Sequence, residues 1–169
     1  YRVGIKAVLN YDAWIRASFR QNKPYDQFVR ELITARGSTW RNGAATLFRD
    51  RRSPDELTPL VSQLFLGIRL ECAKCHHHPF EKWGQTDFFS FAAYFARLGR
   101  KGSGLSPPIS GGEEVIMTRA SGTVSHPLTG KVLPPRPLYG TAPELREGED
   151  PRVALARWIT SKDNAYFSQ

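Results

Sequence analysis

Cys72, Ala73, Lys74, Cys75 and His76 run consecutively and are followed by His77, His78, Pro79 and Phe80. This stretch holds the chain's only two cysteines and three of its four histidines. Two thiols three positions apart, with an imidazole directly after the second, form the attachment signature of a c-type haem. Each thiol can add to one vinyl group of the porphyrin, and His76 is then placed to ligate iron as the proximal ligand. The same residue types allow other chemistry. Cys72 and Cys75 with one or two of His76, His78 and His126 would make a tetrahedral zinc set. In an oxidising compartment the two cysteines could instead close a disulfide, with the histidines in a local polar network.

A distal iron ligand must come from further away, because His78 lies only two residues from His76 and cannot easily reach the other face of one ring. Met117, the only methionine, and His126, the only histidine remote from the motif, are the candidates. Each also has an ordinary role: Met117 as a gap-filling core residue, His126 before Pro127 as a surface turn residue. A sixth position left open would admit a small molecule.

The motif needs elements to hold it. Ser53, Pro54 and Glu56 read as N-cap, first helical residue and capping-box partner. Leu57, Leu60, Val61, Leu64, Phe65 and Ile68 then line one face, and this helix is expected to run, kinked or restarted at Pro59, into Cys72. On a helix Cys72, Cys75 and His76 would point toward one object. Pro79 stops any continuation. A further helix, capped by Thr86 and running to Leu98, carries Phe88, Phe91, Ala92 and Phe95 on one stripe, a core pattern that could also wall a haem. Upstream, Val3 to Arg20 has an apolar stripe of Ala7, Val8, Tyr11, Trp14, Ile15, Ser18 and Phe19. Tyr25, Phe28, Val29, Leu32 and Ile33 mark a second helix that Pro24 opens and Gly37 ends. Residues 37–52 are weakly patterned and basic, and Arg49, Arg51 and Arg52 read as a wet loop with some capacity to grip phosphate.

From Gly99 to Gly148 glycine and proline become frequent, and residues 115–118, 122–125 and 128–133 suggest short strands in a small β-hairpin or irregular arm. The expected architecture is mainly α: a helical, cytochrome c-like domain over residues 1–101 and a β-rich arm and linker over 102–149. A last helix from Asp150 would open a second domain over 150–169.

Composition narrows the function classes. The 169 residues are 40% hydrophobic and 24% charged, an ordinary globular balance. The net charge of +8 is spread along the chain, so nucleic-acid binding would rest on charge alone and is not expected. No apolar run approaches the roughly 20 residues of a membrane span. The chain begins with Tyr1 and shows no signal peptide, which reads as an excerpt from a longer protein, so the missing targeting signals carry no information. No nucleophile elbow, phosphate loop or paired carboxylates indicate a catalysed reaction.

The run from Gln63 to Trp83 resembles the planctomycete cytochrome-like domain of uncharacterised function. Residues 24–32 and 88–97 match its pattern too, and residues 150–167 resemble the opening of the companion planctomycete domain that commonly follows. The resemblance implies a cell-envelope or periplasmic protein with a cytochrome c-type motif, a covalent haem c and a redox partner whose identity is not specified. The family pattern carries Cys72, Cys75, His76, His78 and Pro79. Position 77 is more often Asp or Asn, so His77 departs from it and is given no ligand role.

Overall fold

The computed structural model describes residues 4–103 and 112–167. In chain order its elements are α1 (Ile5–Arg20), α2 (Tyr25–Ile33), β1 (Gly37–Ser38), α3 (Leu47–Asp50), α4 (Pro54–Leu66), α5 (Gln85–Ala92), β2 (Leu98–Ser103), β3 (Glu113–Thr118), β4 (Val124–Ser125), β5 (Val132–Leu133) and α6 (Pro151–Ile159). Short 3₁₀ turns cover Gly43–Thr46, Glu71–Lys74 and Ala93–Phe95. The protein is thus mainly α with small sheets. It divides into two units: Tyr1–Arg52 with Leu98–Arg119, and Ser53–Arg97 with Ala120–Gln169.

In the first unit α1 packs on the 3₁₀ turn at Gly43. A Cβ there would sit 2.3 Å from the carbonyl oxygen of Asn10, so only glycine permits the approach. Ala7 and Ser18 are buried and Trp14 stacks on Phe28 with centroids 4.7 Å apart. Val8 and Phe19, expected in the buried stripe, are 48% and 77% exposed. Contact through small residues covers a narrower strip than the apolar periodicity suggests. Val3 lies outside the described residues.

The three-stranded sheet of this unit is antiparallel in the order β1-β3-β2, pairing Gly37 with Ile116 and Gly99 with Met117. The strand expected at 115–118 therefore exists, but its partners are β1 and β2, not the strands that follow it. Of the arginine cluster, Arg49 and Arg52 have partners in the sheet region. Arg49 is buried and donates to the Gly112 carbonyl oxygen at 2.6 Å, and Arg52 pairs with Glu114 at 2.7 Å. Arg51 and Arg52 remain exposed, as a wet loop requires, whereas Arg49 is buried and departs from that expectation.

The second unit carries the motif. Its first helix, α4, starts as expected, with Glu56 accepting from the Ser53 backbone N–H at 3.1 Å. It continues through Pro59 without a restart. It stops well before Cys72, because Gly67 turns left-handed at φ +68° and the Ile68 N–H returns to the Ser62 carbonyl at 3.2 Å. This is a left-handed glycine ending, a position that glycine fills without strain. The expectation of a helix running into the cysteines is corrected accordingly.

The next helix, α5, is capped by Gly84, not Thr86. The Asp87 carboxylate accepts from the Gly84 N–H at 3.0 Å. It also ends earlier than expected, and Leu98 belongs to β2. Leu57 and Val61 of α4 and Phe88, Phe91 and Phe95 of the next stretch are fully buried in this unit. The last helix, α6, belongs to the same unit and brings Trp158 edge-on to Phe91, centroids 6.3 Å apart. Asp150 caps it and forms a buried ion pair with Arg152 at 2.7 Å. Strands β4 and β5 form the expected small hairpin. Among the described residues no helix is long and apolar enough to cross a membrane.

Candidate functional site

Between the end of α4 and the start of α5 the chain has no long element to carry the motif. Glu71–Lys74 form a single 3₁₀ turn, which Cys75 ends, its N–H bonded to the Cys72 carbonyl at 3.3 Å. Side chains three apart on a 3₁₀ turn eclipse one another. The shared face expected for Cys72 and Cys75 is therefore available by a different geometry from the α-helical one. Both cysteines are free thiols and exposed, while Ala73 between them is fully buried and anchors the turn.

Three contacts hold this turn in place. Gln85, the first residue of α5, donates its side-chain amide to the carbonyl oxygens of both Lys74 and Cys75, each at 3.0 Å. Lys74 reaches back to Asp55 at 2.8 Å. That hydrogen bond raises the Lys74 pKa. At Asp55 burial opposes the charge, but the bonds from Lys74 and Ser53 outweigh it and lower the carboxyl's pKa. The loop that follows closes on itself, with the His78 N–H donating to the Trp83 carbonyl at 2.8 Å. Phe80 projects from its tip, 92% exposed.

The histidines are set apart by their hydrogen bonds. Nδ1 of His76 lies 2.6 Å from the backbone carbonyl oxygen of His77. A carbonyl can only accept, so Nδ1 carries the proton and the neutral ring keeps its lone pair at Nε2. This is how an imidazole is prepared for a metal: one nitrogen is tied to a carbonyl and the other is left as donor to the ion. His78 has the opposite arrangement, its Nδ1 accepting from the Phe80 N–H at 3.3 Å. So does His126, whose Nδ1 accepts from the Leu128 N–H at 3.3 Å. In the neutral state both hold their proton at Nε2.

A cleft of about 400 Å³ opens beside the motif, lined by Cys75, His76, His77, Lys82, Asp87 and His126 among others. The fold thus brings His126, on the β4–β5 hairpin, to the same cleft as Cys75 and His76. His78 and Cys72 are not in its lining. Met117 belongs to β3 of the first unit, across from Gly99. Among the described residues no three His, Cys, Asp or Glu side chains gather as a metal-holding group. Next to the cleft, the buried Trp83 indole N–H has no acceptor among the described residues.

These residues fit a covalent haem on their donor chemistry: two free exposed thiols for the vinyl groups and one imidazole with an available Nε2. Sequence reasoning missed Gln85 and Gly84. Gln85 gave no signal, since its targets are backbone carbonyls, and His77 entered only as a departure from a pattern.

A family profile described as PSCyt2, protein of unknown function (DUF1549), matches residues 3–100. The chain belongs to this planctomycete-type family. The PSCyt2 match takes in the whole motif loop and α5 but ends before the hairpin that carries His126. Searches of curated proteins and of solved structures give no significant match.

Proposed function

We propose that this PSCyt2 chain attaches one haem c through Cys72 and Cys75, with His76 as proximal ligand, and serves as an electron-transfer or redox module of a cell-envelope protein. The observation that carries the reading is the 2.6 Å contact between His76 Nδ1 and the His77 carbonyl oxygen, which leaves Nε2 unprotonated. The exposed, unpaired state of both thiols and the adjoining cleft support the same reading.

When bound, the haem would supply one-electron chemistry at iron. The protein's residues have the positioning work. Gln85 holds the carbonyl oxygens of residues 74 and 75 and so fixes the direction in which the Cys75 thiol and the His76 backbone leave the turn. The His77 carbonyl orients the His76 ring. A zinc site would draw on the same thiols and imidazole and would need four such ligands.

The test is expression with a covalent haem-attachment system. One haem per chain by mass, with the pyridine haemochrome spectrum of a two-thioether haem, is the expected result. Cys72→Ala should give a single-thioether spectrum, and the double variant with Cys75→Ala should give none. A protein that emerges without covalent haem while folding normally overturns the reading.

A further inference from the structure

Charge that is scattered in sequence is sorted by the fold. The unit formed by Tyr1–Arg52 with Leu98–Arg119 contains 14 Lys and Arg against 6 Asp and Glu, a net +8. The unit that carries the cysteines contains 10 against 10 and is neutral. Five of the six carboxylates of the basic unit are already paired within it: Asp12 with Arg16, Asp26 with Arg30, Glu31 with Lys23, Asp50 with Arg51 and Glu114 with Arg52. Lys6, Arg20, Arg36, Arg41 and Lys101 are left exposed, with no carboxylate partner among the described residues. The turn that carries Arg36 and Arg41 is closed by the Asn42 amide, which donates to the Arg36 carbonyl oxygen at 2.8 Å. It packs on α1 through Lys6, whose Nζ stands 4.3 Å from the centroid of the Trp40 ring.

The helix α1 brings apolar surface to the same place. Ala7 and Ser18 face inward, while Ile5, Val8, Leu9 and Phe19 share the outer face, with Ile5 80% and Leu9 61% exposed. Asp12 interrupts this strip, and Arg16, one turn on, offsets its charge at 2.8 Å. Phe19 and Tyr25 both abut Phe28, with centroids 6.5 and 6.4 Å apart, so the strip continues onto the start of α2, where Tyr25 is exposed. Lys6, Arg16 and Arg20 border it on α1. A helix with an outward apolar strip and a basic border is built to lie on a charged membrane surface.

We propose that the outer face of α1 docks the basic unit on an anionic lipid surface. Ile5, Leu9 and Phe19 reach the acyl boundary, and Lys6, Arg20, Arg36 and Arg41 meet the headgroup phosphates. A second copy would set +8 against +8, and nucleic-acid phosphates would leave the aliphatic strip in water. A protein partner would need a groove shaped to side chains that stand this far out, whereas fluid hydrocarbon needs none. The cysteine cleft belongs to the other unit, so the docking does not depend on haem.

The test is sedimentation of the whole chain with vesicles of phosphatidylcholine, against vesicles of equal parts phosphatidylcholine and phosphatidylglycerol. The chain should partition onto the anionic vesicles only, and less as salt is raised. Ile5→Gln with Phe19→Gln should weaken partition about tenfold. Arg20→Gln with Arg41→Gln should weaken it about fivefold per charge removed. Lys131→Gln with Arg146→Gln takes the same charge from the neutral unit and should leave partition within about twofold of wild type. All six side chains are exposed, so the variants should keep the wild-type circular dichroism and melting temperature. In the unaltered chain, a lipid with a nitroxide near the head of its acyl chain should broaden the methyl resonances of Ile5 and Leu9, and unbroadened resonances overturn the proposal without any variant. Equal binding to both vesicle types, binding to neither, or binding that the Ile5 and Phe19 variant leaves unchanged also overturns it. So does tighter binding to duplex DNA than to the anionic vesicles, or a dimer that the same variant dissociates, since each assigns the surface to another occupant.

Discussion

The imidazole of His77 lies against Gly84, so that a Cβ built on that glycine would come within 3.3 Å of the ring's Nε2 and Cδ2. Gly84 has an ordinary extended backbone, φ −119°, so the constraint is space and not conformation. The ring packs there while its own carbonyl holds His76. Gly84→Ala should displace the ring by a few tenths of an ångström and put a poor N-cap residue at the head of α5. The expected cost is about 0.5–1 kcal/mol. Urea unfolding measures the cost. Movement of the His77 and His76 ring resonances reports the displacement, and unmoved resonances would show that the seat on Gly84 does not position His76.

Gln85 makes the corresponding prediction for the cysteine turn. Gln85→Met keeps the side chain's length and removes both bonds to the carbonyl oxygens of Lys74 and Cys75. Each bond is worth about 0.5–1.5 kcal/mol net, so the variant should lose about 1–3 kcal/mol. Amide exchange at Cys75 and His76 should quicken, and the yield of haem attachment should fall. Unchanged exchange there would mean that the turn is held without Gln85.

What the sequence made legible follows the range of the interactions involved. The capping box at Ser53 and Glu56, the aromatic stripe of α5 and the thiol–imidazole motif are local patterns, and all three stand in the structure in recognisable form. The end of α4 was also written locally, in Gly67, but the apolar residue Ile68 beyond it kept the helical pattern alive and hid the stop. The partners of β3 lie far away in sequence at Gly37–Ser38 and Leu98–Ser103, and alternation within a strand carries no information about which strands it meets. The same limit applies to His126. A turn at Pro127 to Gly130 was readable, but its arrival at the cleft of Cys75 and His76 depends on how the hairpin packs, which a short hairpin does not encode in its own residues. Buried Arg49 misled for a related reason, since its acceptor, the Gly112 carbonyl, is 63 residues away.

Gly67 offers a test free of side-chain contacts. Its φ is +68° and nothing lies within 4 Å of a Cβ built on it, so Gly67→Ala meets only the backbone penalty of the left-handed conformation. The expected loss is about 1–2 kcal/mol, and Gly67→Asn should lose less because Asn tolerates that region. Equal losses from the two variants, measured by chemical denaturation, would contradict the left-handed glycine as the reason α4 stops.

The Lys74–Asp55 pair ties the cysteine turn to the head of α4, and it should give stability a defined pH window. Burial opposes the Asp55 charge, but the hydrogen bonds from Lys74 and Ser53 win and hold its pKa below the ordinary value. A lowered carboxyl contributes stability that is complete above the unfolded value near ~3.9 and lost as pH falls through the folded one. Lys74, raised chiefly by its bond to Asp55, contributes below the unfolded value near ~10.4 and loses that contribution as pH rises through the folded one. Both side chains are more than a third exposed, so the pair is worth only about 0.2–1 kcal/mol. Asp55→Asn should therefore be slightly less stable than wild type near neutral pH and converge with it in acid. A difference that persists undiminished below about pH 3 would assign the effect to something other than this charge.

Tyr94 gives the opposite kind of prediction, a gain from removing a polar atom. Its hydroxyl is buried and has no hydrogen-bond partner among the described residues, and burial raises its pKa above the usual phenol value. Tyr139 is likewise pushed up to about 12, mainly by burial and next by the neighbouring Tyr166 charge. A phenol whose pKa is raised on folding contributes stability that is full below the unfolded value near ~10 and disappears as pH rises through the folded value. The protein should accordingly lose stability steeply above about pH 10. An unsatisfied buried donor costs about 1–3 kcal/mol, so Tyr94→Phe should leave neutral stability unchanged or raise it by about 1 kcal/mol. It should also make the alkaline limb shallower by removing one of the raised phenols, which burial gives at Tyr11 and Tyr25 as well. Thermal unfolding at neutral pH and at about pH 11 checks both parts together. A variant clearly less stable at neutral pH would show that the hydroxyl has a partner after all, a bound water being the first to look for.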